Sequence, residues 1–145
     1  MESKELKKVF DQIAKANGFE KSFGSWFKKS DDCIAVIKLQ KSSFGNSYYI
    51  NIKVFIQGVF EESYVPNKDL IKSGIGHINQ QIRDLDILDF DVSIDNNDRI
   101  KRTGSLFSES IAPFVNMSLS KISIKDSYHQ GEIFLLPAVK EKLDI

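Results

Sequence analysis

The sequence lacks most of the features that place a protein in a functional class at once. It has a single cysteine, Cys33, so no internal disulfide can form. No apolar run approaches the roughly 18 residues of a membrane span. Lysine plus arginine equals aspartate plus glutamate at 20 each, so no net charge attracts nucleic acid or an anionic membrane. The N-terminus MESKELKKVF is charged where a signal peptide is apolar, which favours a cytoplasmic location.

Catalytic motifs are also missing. The chain contains no G-x-S-x-G, Walker or dinucleotide-binding glycine pattern. Cys33 could act as a nucleophile with His77 or His129 as its base, but it alternates with Ala35 and Ile37 on an apolar strand face. A buried structural thiol explains that pattern better. We therefore predict no catalytic residues. The alternative that two carboxylates distant in sequence meet in the fold as a general acid and base is left open.

Metal and cofactor sites find no support either. One cysteine and two distant histidines lack the close ligand spacing of structural zinc sites. The acidic run over residues 84–98 has several carboxylates, but an EF-hand beginning at Asp89 would place Ile94 at the glycine position and Ile100 at the glutamate position. We therefore predict no metal and no cofactor.

The amino-acid composition is that of a globular protein. Its 145 residues are 41% hydrophobic and 28% charged, which is enough apolar material for one core. The sequence shows no internal repeat, low-complexity tract or linker, so residues 1–145 are expected to form a single domain.

The clearest local pattern is a helix over residues 4–16. Five apolar residues recur there at the helical spacing of three and four: Leu6, Val9, Phe10, Ile13 and Ala14. Gly18 follows directly and can take the left-handed conformation that ends a helix. The segment is therefore an amphipathic helix with one buried face.

A period of two replaces this pattern from Phe23 onwards. Residues 23–29, 33–40 and 47–57 alternate between apolar and polar, separated by turn-forming segments, which predicts a three-stranded antiparallel meander. In the third strand Ile50, Ile52 and Val54 share one face, expected to pack against the helix. Tyr49 and Phe55 lie on the other face.

The second half of the chain is less regular. Residues 88–94 alternate and predict a further strand, and we expect one later strand as well. Residues 105–125 fit a helix and a strand equally, and residues 137–143 predict a closing helix that begins at Pro137. The predicted fold is therefore α+β, with an N-terminal helix packed on a small antiparallel sheet and one or two C-terminal helices.

The first part of the chain resembles a known family. Gly18-Phe19 after the helix, Phe27 in the first strand, Gln40-Lys41-Ser42 after the second and Asn51 in the third are similar to the bacterial domain-of-unknown-function family 4304. The resemblance covers about residues 6–57. It implies an α+β fold on a small antiparallel sheet, and it implies no activity.

One sheet face carries the residue types of an interface. The candidate binding face consists of Trp26, Tyr49, Asn51, Lys53 and Phe55. Aromatic side chains of this kind anchor protein interfaces, because they bring a large contact area at low entropic cost. The alternative is that a second layer, such as the segment 111–121, covers Tyr49 and Phe55.

The preferred hypothesis is a non-catalytic protein-binding module, which includes an inhibitor or immunity-type role. One alternative is an enzyme or small-molecule-binding domain with a pocket around His77 and Arg83. Another is single-stranded nucleic-acid binding on the aromatic sheet face, since aromatic rings between lysines can stack bases and neutralise phosphates. The sequence predicts no membrane partner and gives no oligomeric state.

Overall fold

The computed structural model describes all residues, 1–145, and begins with the expected amphipathic helix. This helix, α1, spans Ser3–Ala16 and buries Leu6, Phe10 and Ala14. Gly18 follows with φ +87°, a conformation that side-chain-bearing residues rarely adopt. The chain therefore reverses at once, and Phe19 is buried beside the helix that it leaves.

A five-stranded antiparallel sheet, ordered as in the chain, forms the centre of the fold. Its strands are β1 (Glu20–Ser22), β2 (Ser25–Lys29), β3 (Cys33–Lys41), β4 (Tyr48–Ile56) and β5 (Ile78–Ile82). The long β3–β4 hairpin pairs from Cys33 opposite Ile56 to Lys41 opposite Tyr48. The α+β class and the predicted hairpin are thus confirmed.

The inner face of the sheet holds the main core. Ile50, Ile52 and Val54 of β4 are buried in one cluster with Leu6 and Phe10 of α1, as the alternation predicted. Side-chain alternation along β4 is therefore sufficient to identify the side of the sheet that packs against the helix.

Helices complete the inner layer. They are α3 (Asn96–Leu106), a π-helical segment (Phe107–Ile111), α4 (Ala112–Ser118), α5 (Lys121–His129) and α6 (Pro137–Lys142). Residues 105–125 are thus helical, and the closing helix at Pro137 is confirmed. None of the helices combines the length and the apolar character that crossing a membrane requires.

The strand predicted for residues 88–94 is wrong, and so is the later strand. The fifth strand of the sheet is instead β5, which precedes residues 88–94. The sequence of β5 matches neither the helical nor the strand period. Within 88–94 only Asp89 makes a single bridge, to Ser47. The guanidinium of Arg99, which is almost fully buried, explains the difference.

Arg99 holds the 84–94 segment as a loop. Its guanidinium donates to the carbonyls of Ile87 at 2.6 Å, Val92 at 2.9 Å and Asp89 at 3.2 Å. These carbonyls would otherwise be available to a neighbouring strand, and a buried cation without them would be unsatisfied. The alternation in 88–94 places Phe90 against Tyr48 without forming a strand.

The first predicted strand, 23–29, is shorter in the structure. Phe23 and Gly24 both have positive φ and form the β1–β2 turn, so β2 begins only at Ser25. The sheet gains the short strand β1 before this turn.

One half of the outer face of the sheet is covered, and the other half is open. Residues 58–75 fold back across it through a 3₁₀ turn (Val59–Glu61) and the short helix α2 (Lys68–Lys72). Leu70 and Ile71 of α2 pack into a second cluster with Phe27, Ile34, Val36 and Phe55. The predicted second layer exists, but it is this segment and not 111–121.

Candidate functional site

Trp26 lies on the inner face, opposite the rest of the candidate binding face. Its Cα pairs with that of Ile37, its ring packs at 4.8 Å from the ring of Phe10, and it is only 2% exposed. The indole N–H donates to the carboxylate of Asp11 at 2.9 Å and, as the largest cause, holds the pKa of Asp11 below its usual range. Trp26 is therefore a core residue.

Lys53 and Phe55 point outwards but lie beneath α2, only 4% and 6% exposed. The Lys53 ammonium donates to the carbonyl of Ile71 at 2.7 Å and to that of Ser73. Burial, with a smaller contribution from Lys38, lowers the pKa of Lys53 to about 8. These carbonyls end α2, where a cation is favourable. Lys53 thus fastens α2 to the sheet.

Tyr49 and Asn51 occupy the uncovered half of the outer face, and both are half-buried. The Asn51 side chain donates to Gln40 at 2.6 Å and accepts from Gln81 at 2.8 Å. Arg83 lies 4.8 Å from the centre of the Tyr49 ring. The open half therefore presents polar groups that already hydrogen-bond to one another.

The hydroxyl of Tyr49 belongs to the same network. It lies 3.0 Å from the hydroxyl of Ser42, and this hydrogen bond, followed by that of Arg83, lowers the pKa of Tyr49. A single aromatic ring beside paired amides offers no series of stacking platforms. The prediction that the five candidate residues form one open face is therefore wrong.

His77 and Arg83 do not form a common pocket. They flank β5 at opposite ends, roughly 20 Å apart at about 3.3 Å per strand residue. Three aromatic rings surround His77: those of Phe55, Phe60 and Tyr64. Its Nδ1 accepts from the backbone N–H of Ile56 at 2.8 Å, so the neutral ring carries its proton on Nε2. Burial lowers the pKa of His77.

The thiol of Cys33 has no exposure and lies in the main core. Burial, followed by the negative charge of Asp32, raises the pKa of Cys33 to about 12. A thiolate, which is the reactive form, is strongly disfavoured there. No group of three or more His, Cys, Asp or Glu side chains is arranged to hold a metal ion.

The free edge of the sheet at β5 is a feature that sequence reasoning missed. The N–H of Ser42 donates to the carbonyl of Ser47, the residue opposite it, so Ser47 and every second residue after it in β4 face β3. Because backbone direction alternates along a strand, the residues between them face β5, and their partners Ile78, Gln80 and Ile82 face β4. The backbone groups of Asn79 and Gln81 therefore point away from the sheet. No backbone hydrogen bond within the chain satisfies these outward groups.

A groove runs beside this edge, between β5 and the C-terminal segment. It consists of two adjoining clefts, of about 620 Å³ and about 370 Å³, that share the residues Gln80, Phe114, Glu132 and Ile133. Phe134, at its rim, is 78% exposed. Gln80 faces inwards yet is exposed, because the helical layer stops short of β5.

The groove is mainly a hydrophobic contact surface. Phe114, Met117 and Ile133 supply most of its apolar wall, and Ser110 of the π-helical segment lies in the larger cleft. Glu132 is its one carboxylate, and neither a nucleophile with an adjacent base nor a second carboxylate accompanies it. The edge and the groove together can bind an extended chain.

A signal for this site existed in the sequence. Residues 78–82 read INQQI, a segment without charge, proline or glycine, and edge strands are usually protected by such residues. It was hidden because three consecutive polar residues interrupt the alternation, so that neither period applied.

Comparison with known proteins identifies one family. The family model described as domain of unknown function (DUF4304) matches residues 10–121. This match covers β5, α3, the π-helical segment and α4 as well as the first four strands. No curated protein and no solved structure matches the chain.

Proposed function

The chain belongs to the DUF4304 family, whose description names no activity, and we propose that it is a non-catalytic protein-binding domain. It binds an extended segment of a partner protein, which joins the sheet beside β5 as a further strand. The observation that carries this proposal is the free edge of β5, with unpaired backbone groups and an apolar groove beside it.

The backbone supplies the first part of the interaction. Asn79 and Gln81 present N–H and C=O groups with the spacing of a strand, and an extended peptide can satisfy all of them. Since every peptide has this backbone, these hydrogen bonds support binding without selecting a sequence. They also fix the partner segment in an extended conformation.

The groove supplies selectivity. Alternate side chains of an added strand point to the inner side of the sheet, where Phe114, Met117 and Ile133 line the larger cleft. Phe134 extends this apolar surface at the rim. The preferred partner segment therefore carries apolar residues at every second position, and polar residues between them.

An inhibitor or immunity-type role is the narrower form of this proposal. In that role the bound segment belongs to the protein that is inhibited, and binding holds it in an extended conformation. The absence of a nucleophile–base pair in the groove supports binding over catalysis.

The test is a selection of displayed random peptides on the full chain, followed by affinity measurement with fluorescently labelled peptides. We expect enrichment of apolar residues at alternate positions. Gln81→Pro should abolish binding, because it removes an outward N–H. Gln81→Ala is the matched control, since it keeps that N–H, and it should bind normally.

A second substitution tests the groove. Phe134→Ala removes a ring that is mostly exposed, so folding should be unaffected. As an interface anchor the ring should contribute about 2 kcal/mol, or roughly thirtyfold in affinity. Peptides that bind the Gln81→Pro variant as tightly as the original chain would contradict the proposal.

Binding of a small apolar molecule in the groove is the second candidate function. The larger cleft, at about 620 Å³, has the size of a ligand pocket and is lined mostly by hydrophobic side chains. Such a ligand would contact Met117 and Phe114 without using the backbone of β5. Ligand binding that Gln81→Pro leaves unchanged and Met117→Ala weakens would favour this candidate.

A further inference from the structure

The sequence of β5 is nearly the same in both directions. Its residues are Ile78-Asn79-Gln80-Gln81-Ile82, with isoleucine at both ends and a side-chain amide at every position between them. Two copies of such a strand can pair antiparallel with like residues opposite one another. The two-fold axis would then pass through Gln80.

The backbone directions agree with this register. With the axis at Gln80, Asn79 lies opposite Gln81 of the other copy, and Gln81 lies opposite Asn79. These are the two residues whose N–H and C=O groups face away from β4. Each of them therefore meets an outward-facing residue of the second copy, so both strands become satisfied by the same set of hydrogen bonds.

Charge presents no obstacle to this pairing. No residue of β5 is charged, so no like charges meet at the axis. The flanking residues His77 and Arg83 lie opposite each other in this register. His77 accepts a hydrogen bond at Nδ1 and is therefore neutral, which leaves Arg83 without an opposing cation.

We propose that the strand added at β5 is β5 of a second copy of this chain, in the register that places Gln80 opposite Gln80. This inference rests on the proposed function, because it names the partner of the same edge. The two sheets join into one continuous antiparallel sheet, and the groove of each copy opens towards the other. A closed two-fold interface of this kind uses the same residues on both sides.

The test uses cross-linking through one introduced thiol. Opposed Gln80 residues would form a non-hydrogen-bonded pair with Cα atoms about 4.5 Å apart, which lies within the range that a disulfide can bridge. Gln80→Cys should therefore form a covalent dimer under mild oxidation. Cys33 does not interfere because it is fully buried.

Gln81→Cys is the matched control. In the proposed register Gln81 lies opposite Asn79, and the two Gln81 residues are more than about 7 Å apart, beyond disulfide reach. Both side chains are exposed and both variants keep their backbone N–H groups, so both should fold. We expect the Gln80→Cys variant to cross-link about tenfold faster or more.

Sedimentation equilibrium provides the second measurement. The original chain and Gln81→Ala should be dimeric, and Gln81→Pro should be monomeric. Equal cross-linking of the Gln80→Cys and Gln81→Cys variants would overturn this inference. A monomeric chain that binds selected peptides through Gln81 would also overturn it while leaving the proposed function intact. A monomer that binds no peptide would overturn both.

Discussion

The outer face of the sheet and its free edge at β5 are adjacent surfaces that differ in what they leave unpaired. On the outer face, Phe55 and Lys53 lie under α2, and Asn51 hydrogen-bonds to its neighbours on both sides. At β5 the outward backbone groups have no partner, and an apolar groove lies beside them. The residue types of an interface are on the first surface, but the unsatisfied groups are on the second.

The comparison shows that the residue types on a surface do not tell whether that surface is free to bind a partner. Aromatic and basic side chains on a strand can form an interface, but a loop that returns over them uses the same properties for folding. Unpaired backbone groups at an edge have no partner within the fold. They can pair with another strand whatever the side chains of the edge are. An edge is therefore better evidence of a binding surface here than a face.

The largest expected effect tests whether the outer face is core. Phe55→Ala should lower the free energy of unfolding by about 3–5 kcal/mol, because it empties a well-packed site beneath Ile71. Phe44→Ala is the matched control, since Phe44 is 97% exposed, and its effect should stay within about 0.5 kcal/mol. Chemical denaturation measures both. Equal, small effects would mean that α2 does not cover this face.

The next effect distinguishes the two sides of β5. Gln80→Pro removes an N–H that faces β4 and should destabilise the fold by about 1–3 kcal/mol, the cost of an unsatisfied buried acceptor. Gln81→Pro removes an outward N–H and should leave the stability of the monomer nearly unchanged. Thermal denaturation of the two variants provides the comparison. The reverse order would show that β5 directs Gln81 towards β4.

A pH-dependent effect is expected at His77, which lies where the two surfaces meet. Burial lowers its pKa in the folded chain below the ordinary value of 6.5, so the unfolded chain binds its proton first as pH falls. The contribution of neutral His77 to stability is therefore present above pH 6.5 and is lost progressively below it. Protonation also removes the acceptor for the N–H of Ile56.

The variant that tests this is His77→Asn. Urea unfolding between about pH 7 and pH 5 should show a weaker loss of stability in this variant than in the original chain. His129→Gln, at an exposed position, controls for the removal of a histidine. An unchanged pH dependence in His77→Asn would contradict the assignment of a buried neutral ring.

The smallest expected effect is on the open half of the outer face. Tyr49→Ala and Asn51→Ala should each change the free energy of unfolding by about 0.5 kcal/mol or less, since both side chains are partly in solvent. Neither should alter the affinity for selected peptides. A loss of peptide binding in Tyr49→Ala would move the site from the edge to the face.

The parts of the fold that follow a clear period could be predicted from the sequence. Leu6 and Phe10 recur at helical spacing, and Ile50, Ile52 and Val54 alternate, so both elements and their contact follow from local pattern. Domain of unknown function 4304 was identified from the same region, and its match extends to residue 121.

The remaining parts depend on long-range contacts. Arg99 turns residues 88–94 into a loop by binding their carbonyls, and Lys53 fastens α2 onto Phe55, although neither partner is near in sequence. The pairing of Trp26 with Ile37 of β3 places Trp26 on the inner face. Alternation assigned Tyr49, Asn51, Lys53 and Phe55 to one side, but it could not show which of them are covered.

Hydrogen exchange at β5 is the most direct test of the central claim that its outward amides pair with a partner backbone. The N–H groups of Asn79 and Gln81 can be followed by NMR in the full chain, dilute and concentrated, and with a selected peptide. We predict rapid exchange in the dilute monomer and protection of these two amides when either the peptide or a second copy binds. Binding that leaves these amides unprotected, while protecting others on the outer face, would contradict the account.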